Sequence, residues 1–493
     1  MLSQLSESRW DEGAAAHLLS RAGFGGTIEQ IATVHAKGLD RAVHDLVEPD
    51  ASAFEPGAPS WAQPRDLRSV RMQVRAAKRD GDKAQLRRER RMEGDELLDL
   101  RRWWIGWMGA TPAPLIEKMT LFWHGHFATS AEKVKDGYWM WRQNDTLRRH
   151  ALGNFVTLTK EMSRDPAMMI YLDLPQSRRE HPNENWAREL MELFTIGIGN
   201  YSEQDVRESA RAFTGYRLNF ATQQFWFARK EHDDGPKTFL GRRGNFSGDD
   251  VIDILTKQAA CAQFIGKKLC RYFINDDPAP ALVDAVAASL RAHNFEMKPV
   301  LREIFSLADF YAPANVRSQI KSPAQFLIHT CKVLGCELPA APIAQGAMRQ
   351  MGQLLFAPPN VKGWDGGKSW ISTSTLLFRN NFANYLINGD AMVPEANRGK
   401  GGDRGVKAGA RAVMAQQFHR EPVNVTVTAP PEIRNNPDSL VSQLSRRVLQ
   451  TEPAPQDRAA FFKFLTARNG DTSDATVRGL LHLMMSTPSY QLT

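Results

Sequence analysis

The chain has 493 residues, of which 42% are hydrophobic and 24% charged, with a formal net charge of +8. That length allows two or three domains with buried cores, and the composition is that of a soluble globular protein rather than a disulfide scaffold. No apolar run approaches the roughly 18 residues a membrane span needs, while the positive balance permits contact with nucleic acid or a membrane surface without requiring it.

The first residues, MLSQLSESRWDEG, lack a basic segment followed by an apolar one, so no secretory signal is read there. The expected location is cytoplasmic by default, or exported if a leader has been omitted. Residues 9–48 read as two helices, and 1–48 as an N-terminal helical segment. Thr27 and Gln30 have the spacing of a capping box. After a proline-rich connector, residues 65–110 read as a long basic helix broken near Gly81. Its arginines predict a solvated face. Further helices are expected at 115–130, 137–161 and 165–172.

The segment 182–216 predicts a helical hairpin. Asn183 caps a helix starting at Glu184. Gly197 and Gly199 supply the reversal, Ser202 with Asp205 caps the return helix, and Gly215 ends it. Residues 217–245 are the one expected β-hairpin or long-loop excursion. Helices resume over 249–271, 279–293, 297–308, 322–334 and 343–356, and a Pro/Gly/Trp loop follows at 357–370. The main helical domain is expected over 65–390, a flexible linker over 395–410, and C-terminal helices packing back over 437–493. The predicted fold class is mainly α: a multi-helix, bundle-like globular protein.

The densest chemistry lies in the hairpin. Glu184, Arg188 and Glu192 recur at i, i+4 and i+8, where alternating charges attract by about a few tenths of a kcal/mol per pair. That pattern fits an ordinary charged face. The polar cluster Asn183, Glu184 and Asn185 also fits a ligand site or an acid/base carboxylate. Glu184 is the first candidate acid/base, with Asp173, Glu189 or Asp205 as a second carboxylate. Candidate substrate-binding residues are His124, Trp123, Asn183, Asn185, Arg188, His232, Asp233, Lys237 and Trp364. His124 and His126 are two residues apart, so on a continuous helix their rings diverge by about 200°, against a two-histidine metal site; a helix ending at Gly125 would let both converge. Carboxylates, asparagines and tryptophans together suit carbohydrate recognition.

The four cysteines form no CxxC pair, and no metal or cofactor is expected. Phosphate-loop, dinucleotide-fold, HExxH and GxSxG motifs are absent, which removes support for ATPase, dehydrogenase, zincin and α/β-hydrolase readings.

A run of ordered segments remains: AAAHLLSRAGFGGT, EKMTLFWHGHFATS, RQNDTLRRHALGNF, DPAMMIYLDL, PNENWARELMELFTIGIGNYSEQDVRESARAFTGY, HDDGPKTFLGRRGNFSGDDVIDIL, LFAPPNVKGWDGGKSWIS and MMSTPSYQL. Together they resemble the bacterial domain-of-unknown-function family 1800 over nearly the whole chain. The resemblance implies membership and fold but carries over no catalytic residue. It also implies export and a sulfatase-like partner encoded nearby. The leading expectation is a hydrolase acting on a polysaccharide or glycoconjugate. The alternative is a non-catalytic helical scaffold or partner-binding protein working with the sulfatase-like protein. A weaker alternative is nucleic-acid binding through 65–102.

Overall fold

A computed structural model describes residues 3–50, 56–389 and 420–493. The expected linker at 395–410 lies outside the described residues. Within them the chain is mainly α, with two two-stranded antiparallel sheets. None of the described helices is long and apolar enough to cross a membrane. Contacts group the chain into two units. One contains Asp40–Phe310 with Leu354–Asp365, and the other contains Ser6–Leu39, Tyr311–Gln353 and Gly366–Thr493. Every candidate site residue from the sequence falls in the first.

In the first unit the basic segment forms two helices, Leu67–Arg79 and Lys83–Ala110, broken at Gly81 with φ +69°. Asp66 and Asp82 cap their starts through backbone amides. Arg75, Arg79, Arg87, Arg88, Arg90 and Arg91 are exposed, as a solvated face requires. Farther along, the second helix turns its apolar side inward at Leu100, Trp104, Ile105 and Met108.

The core of this unit is aromatic. Trp104, Trp123, Trp139 and Trp186 are all fully buried, each contributing on the order of 3 kcal/mol through removal from water. Glu117 lies among them with no exposure. It accepts from Trp104 Nε1 at 2.7 Å, from Trp107 Nε1 at 3.0 Å, and from both Nε and Nη2 of Arg148 at 2.5 and 3.0 Å. A buried carboxylate is tolerable only when so matched.

The 217–245 excursion is two hairpins instead of one. Strand β1 (Tyr216–Asn219) pairs with β2 (Gln224–Phe227), and β3 (Lys237–Phe239) pairs with β4 (Arg242–Gly244). The second turns through Leu240 and Gly241, both at positive φ, which matches the twist of a tight hairpin. The strain at Leu240 is held by its amide, which donates to Asp205 Oδ1 at 2.7 Å.

The second unit contains the N-terminal helices Glu12–Arg21 and Ile28–Ala36, the latter starting in the expected Thr27–Gln30 capping box. It also contains Pro323–Leu334, Thr373–Asn388, Pro437–Val448, Pro455–Thr466 and Asp474–Met485. Phe326 and Tyr490 pack edge-to-face in its core. Fully buried Arg379 donates to the Lys321 carbonyl at 2.8 Å. All four cysteines carry free thiols.

Candidate active site

The hairpin helix begins as expected. Asn183 Oδ1 accepts from the Asn185 amide at 2.9 Å, and α-helical geometry runs over Glu184–Glu189. The sequence predicts continuation in the same register to Thr195. The chain instead widens into a π-helix over Leu190–Thr195. Such wide turns often accompany functional sites. The widening leaves terminal carbonyls without helical partners. Lys268 Nζ donates to the Leu193 carbonyl at 3.0 Å, and His126 Nε2 donates to the Phe194 carbonyl at 3.0 Å.

His126 is therefore the donor at Nε2 and accepts at Nδ1 from Lys268 Nζ at 3.0 Å. Burial holds its imidazole neutral, reinforced by the Lys268 charge. Burial, with Lys362 and Arg271 nearby, also lowers Lys268 to about 7. The two histidines diverge as their spacing requires. His124 Nε2 accepts from the Phe356 amide at 3.1 Å, and its ring meets Trp104 edge-on at 5.0 Å and Trp364 at 5.6 Å. Burial drops it to about 3, helped by Arg101.

A polar cluster forms beside the π-helix. Asp173 adopts a left-handed backbone, φ +57°, a conformation that costs energy for any residue but glycine. Its carboxylate pairs with Lys133 Nζ at 2.8 Å, and Lys133 also donates to the Tyr171 carbonyl at 2.7 Å. The Asp173 carbonyl accepts from Asn183 Nδ2 at 3.3 Å. Glu189 is half-buried. Burial and the neighbouring Glu192 raise its carboxyl above the usual range, against the opposing pull of Arg188. The Tyr171 phenol is raised by burial and then by the charge of Glu189. Tyr201 donates to Glu192 Oε2 at 3.0 Å and is raised to about 12, by burial first and by that bond second. Asn185 is exposed and one turn before Glu189, so the two share a helix face.

The fold joins Asp173 to Asn183 by a hydrogen bond, and Glu189 lies farther along the helix that Asn183 caps, one turn after Asn185. It places the other candidates elsewhere. Glu184 pairs with Arg188 at 3.2 Å, and Arg188 also grips Glu203 at 2.7 and 2.8 Å. Asp205 is occupied as cap and hairpin anchor, accepting from Ser202 and Leu240 amides. Trp123 is sealed from solvent with its N–H on the Ala151 carbonyl at 3.0 Å, out of reach of a sugar face. His232 is buried and donates from Nδ1 to the Thr214 carbonyl at 2.9 Å. Asp233 receives two bonds from Arg211 at 2.6 and 3.1 Å. Lys237 Nζ donates to the carbonyls of Asp233 and Gly235. Trp364 is half-buried against His124. His124, Glu184 and His232 share no hydrogen bond or ring contact among the described residues.

The sequence reading passed over Lys133, Tyr171, Tyr201 and Lys268. The DPAMMIYLDL segment held a signal for Tyr171 and Asp173, two polar residues ending an apolar run. Among the described residues no group of three or more His, Cys, Asp or Glu could hold a metal ion.

Residues 17–492 match the family model described as protein of unknown function (DUF1800). The chain belongs to this family. The match takes in the hairpin, the polar cluster and both histidines of the HGH segment. No curated protein and no solved structure matches the chain.

Proposed function

We propose that this DUF1800 protein is a hydrolase acting on a polysaccharide or glycoconjugate, with Glu189 as the acid/base residue and Asp173 as the second carboxylate. The observation that carries the reading is the contrast between these two. Glu189 is pushed toward its protonated form by burial and by Glu192, whereas Asp173 is ion-paired to Lys133. Two carboxyls in opposed environments are the arrangement by which one donates a proton while the other stays charged. Asn183 and Asn185 supply hydrogen bonds of the kind hydroxyl groups take, and the charge of Glu189 acts on the Tyr171 phenol. Glu184 fits the acid role less well, because its carboxylate is taken up by Arg188 at 3.2 Å. The test is release of reducing ends from a glycan panel by the wild-type chain and by Glu189→Gln. No release by the wild type, or equal release by both, defeats the reading.

A second reading has its own observation. Glu208, Arg211, Asp233 and Lys237 tie the loop after β2 into a closed set of bonds, as a non-catalytic scaffold or partner-binding surface would need. On that reading the chain works with a sulfatase-like partner. Co-purification of such a partner, together with full binding by Glu189→Gln, favours it over the hydrolase.

A further inference from the structure

The four free thiols are not alike. Cys261 and Cys270 are buried in the helix Ala259–Phe273 of the first unit, and burial pushes both thiols above their ordinary range. Cys331 and Cys336 belong to the second unit, and neither is part of the carboxylate cluster.

The end of a helix brings the second pair together. The helix Pro323–Leu334 stops at Gly335, which takes a left-handed backbone, φ +65°. The Gly335 amide donates to the Lys332 carbonyl at 3.1 Å, and the Cys336 amide reaches back to the Cys331 carbonyl at 3.0 Å. These two bonds make a Schellman motif, the helix end that lays the side chain two places beyond the cap against the one three places before it. Cys336 and Cys331 hold those two places, and the Cys331 thiol hydrogen-bonds to the Cys336 sulfur.

The surroundings of the two sulfurs differ. Cys331 is 4% exposed, whereas Cys336 is half-buried. Arg420 donates from Nη2 to the Glu337 carbonyl at 2.8 Å, which holds its guanidinium beside Cys336. The bond from Cys331 favours the Cys336 thiolate against the opposing pull of burial, and Arg420 adds its charge and a hydrogen bond. The same bond, with burial, keeps Cys331 protonated. A partly exposed thiolate beside an arginine, backed by a second thiol, is the pairing of a peroxide-reactive cysteine with a resolving one.

We infer that Cys331 and Cys336 form a reversible redox pair, in which a hydroperoxide oxidises Cys336 and Cys331 closes the disulfide. Cys336 Sγ attacks the outer peroxide oxygen, an S–O bond forms as the O–O bond breaks, and the alcohol or water leaves with the thiol proton. Cys331 Sγ then attacks the sulfenic sulfur, the S–O bond breaks, and water leaves with the Cys331 proton. The two sulfurs lose two electrons and the peroxide gains them. A reduced dithiol restores both thiols by exchange and is itself left as the disulfide.

Treatment of the reduced full chain with hydrogen peroxide, followed by trypsin and mass spectrometry without reductant, tests this. Trypsin cuts after Lys332 and so puts the two cysteines on different peptides, which stay joined only through the disulfide. The joined pair is expected from monomeric chain and should disappear with dithiothreitol. Dimedone, which captures sulfenic acids, should mark Cys336 when present during oxidation. Cys331→Ser should increase that adduct and abolish the joined pair, and Cys336→Ser should abolish both. Arg420→Gln should slow oxidation by about fivefold or more. That variant, with dimedone capture in the wild type, decides the matter if Cys331→Ser does not fold. Absence of the joined pair in the wild type overturns the inference. So does an adduct on Cys331 in place of Cys336, or an oxidation rate that Arg420→Gln leaves unchanged.

Discussion

Lys268 donates from Nζ to Nδ1 of His126 across 3.0 Å, and each residue also donates to a carbonyl of the same π-helix. The pair closes the end of the helix that carries Glu189, so the position of the candidate acid depends on two side chains remote in sequence. Lys268→Met leaves the Leu193 carbonyl and His126 Nδ1 unmatched. A loss of about 1–3 kcal/mol is expected, read from urea unfolding.

The same lysine gives a pH signature. Its folded value is about 7 against an ordinary 10.5. Between those values the unfolded chain binds more protons at this site, so the contribution to stability rises with pH. Wild type should gain more stability than Lys268→Met on going from about pH 7.5 to about pH 9.5, with a difference in slope approaching about one proton. Parallel slopes for the two chains would show that Lys268 titrates normally.

Glu117 is a structural counterpart. Glu117→Ala removes the acceptor for two indoles and strands the Arg148 charge in the core. A cost of about 3–5 kcal/mol follows. Glu117→Gln keeps the shape and part of the bonding, so it should fall between wild type and Glu117→Ala in denaturant midpoint.

Gly215 stands in the turn between the return helix, which ends at Ala212, and β1, at φ +82°, and a Cβ there would lie 2.8 Å from the Ala228 carbonyl. Gly215→Ala should cost about 1–2 kcal/mol for the backbone conformation alone, and more from the contact. Hydrogen exchange should show the first hairpin opening ahead of the rest. An unchanged midpoint would mean that the chain relaxes away from this conformation.

Glu189→Gln should stabilise the protein at neutral pH. A carboxyl raised in the folded state is one whose charge opposes folding, and that penalty grows as pH rises through the folded value. A neutral isostere removes the penalty. The melting temperature of Glu189→Gln should exceed that of wild type at pH 7, and the gap should close on acidification. Stabilisation by loss of a working residue is common at active sites.

What could be read in the sequence was local. Asn183, Ser202 with Asp205, Thr27 with Gln30, and the break at Gly81 each act through their own backbone neighbours, and each stands where the spacing put it. The Glu184–Arg188 pair was legible for the same reason. The π-helix was not, because its widening is sustained by His126 and Lys268, which lie far away in the chain. Glu189 stood in the sequence as one carboxylate among several. What distinguishes it is burial beside Glu192 and Tyr171, and the latter comes from a different helix. The tryptophans misled in the opposite direction. Trp123 looked available for stacking, but its indole completes the core.

On the proposed reading Glu189, and not Glu184, is the acid/base residue. The direct measurement is reducing-end release by wild type, Glu184→Gln and Glu189→Gln on the same glycan, followed across pH. The account predicts a loss of about 10²–10⁴-fold in kcat for Glu189→Gln, near-wild-type turnover for Glu184→Gln, and wild-type activity that falls as pH rises through the raised Glu189 value. Full activity in Glu189→Gln, or its loss in Glu184→Gln alone, would contradict the account.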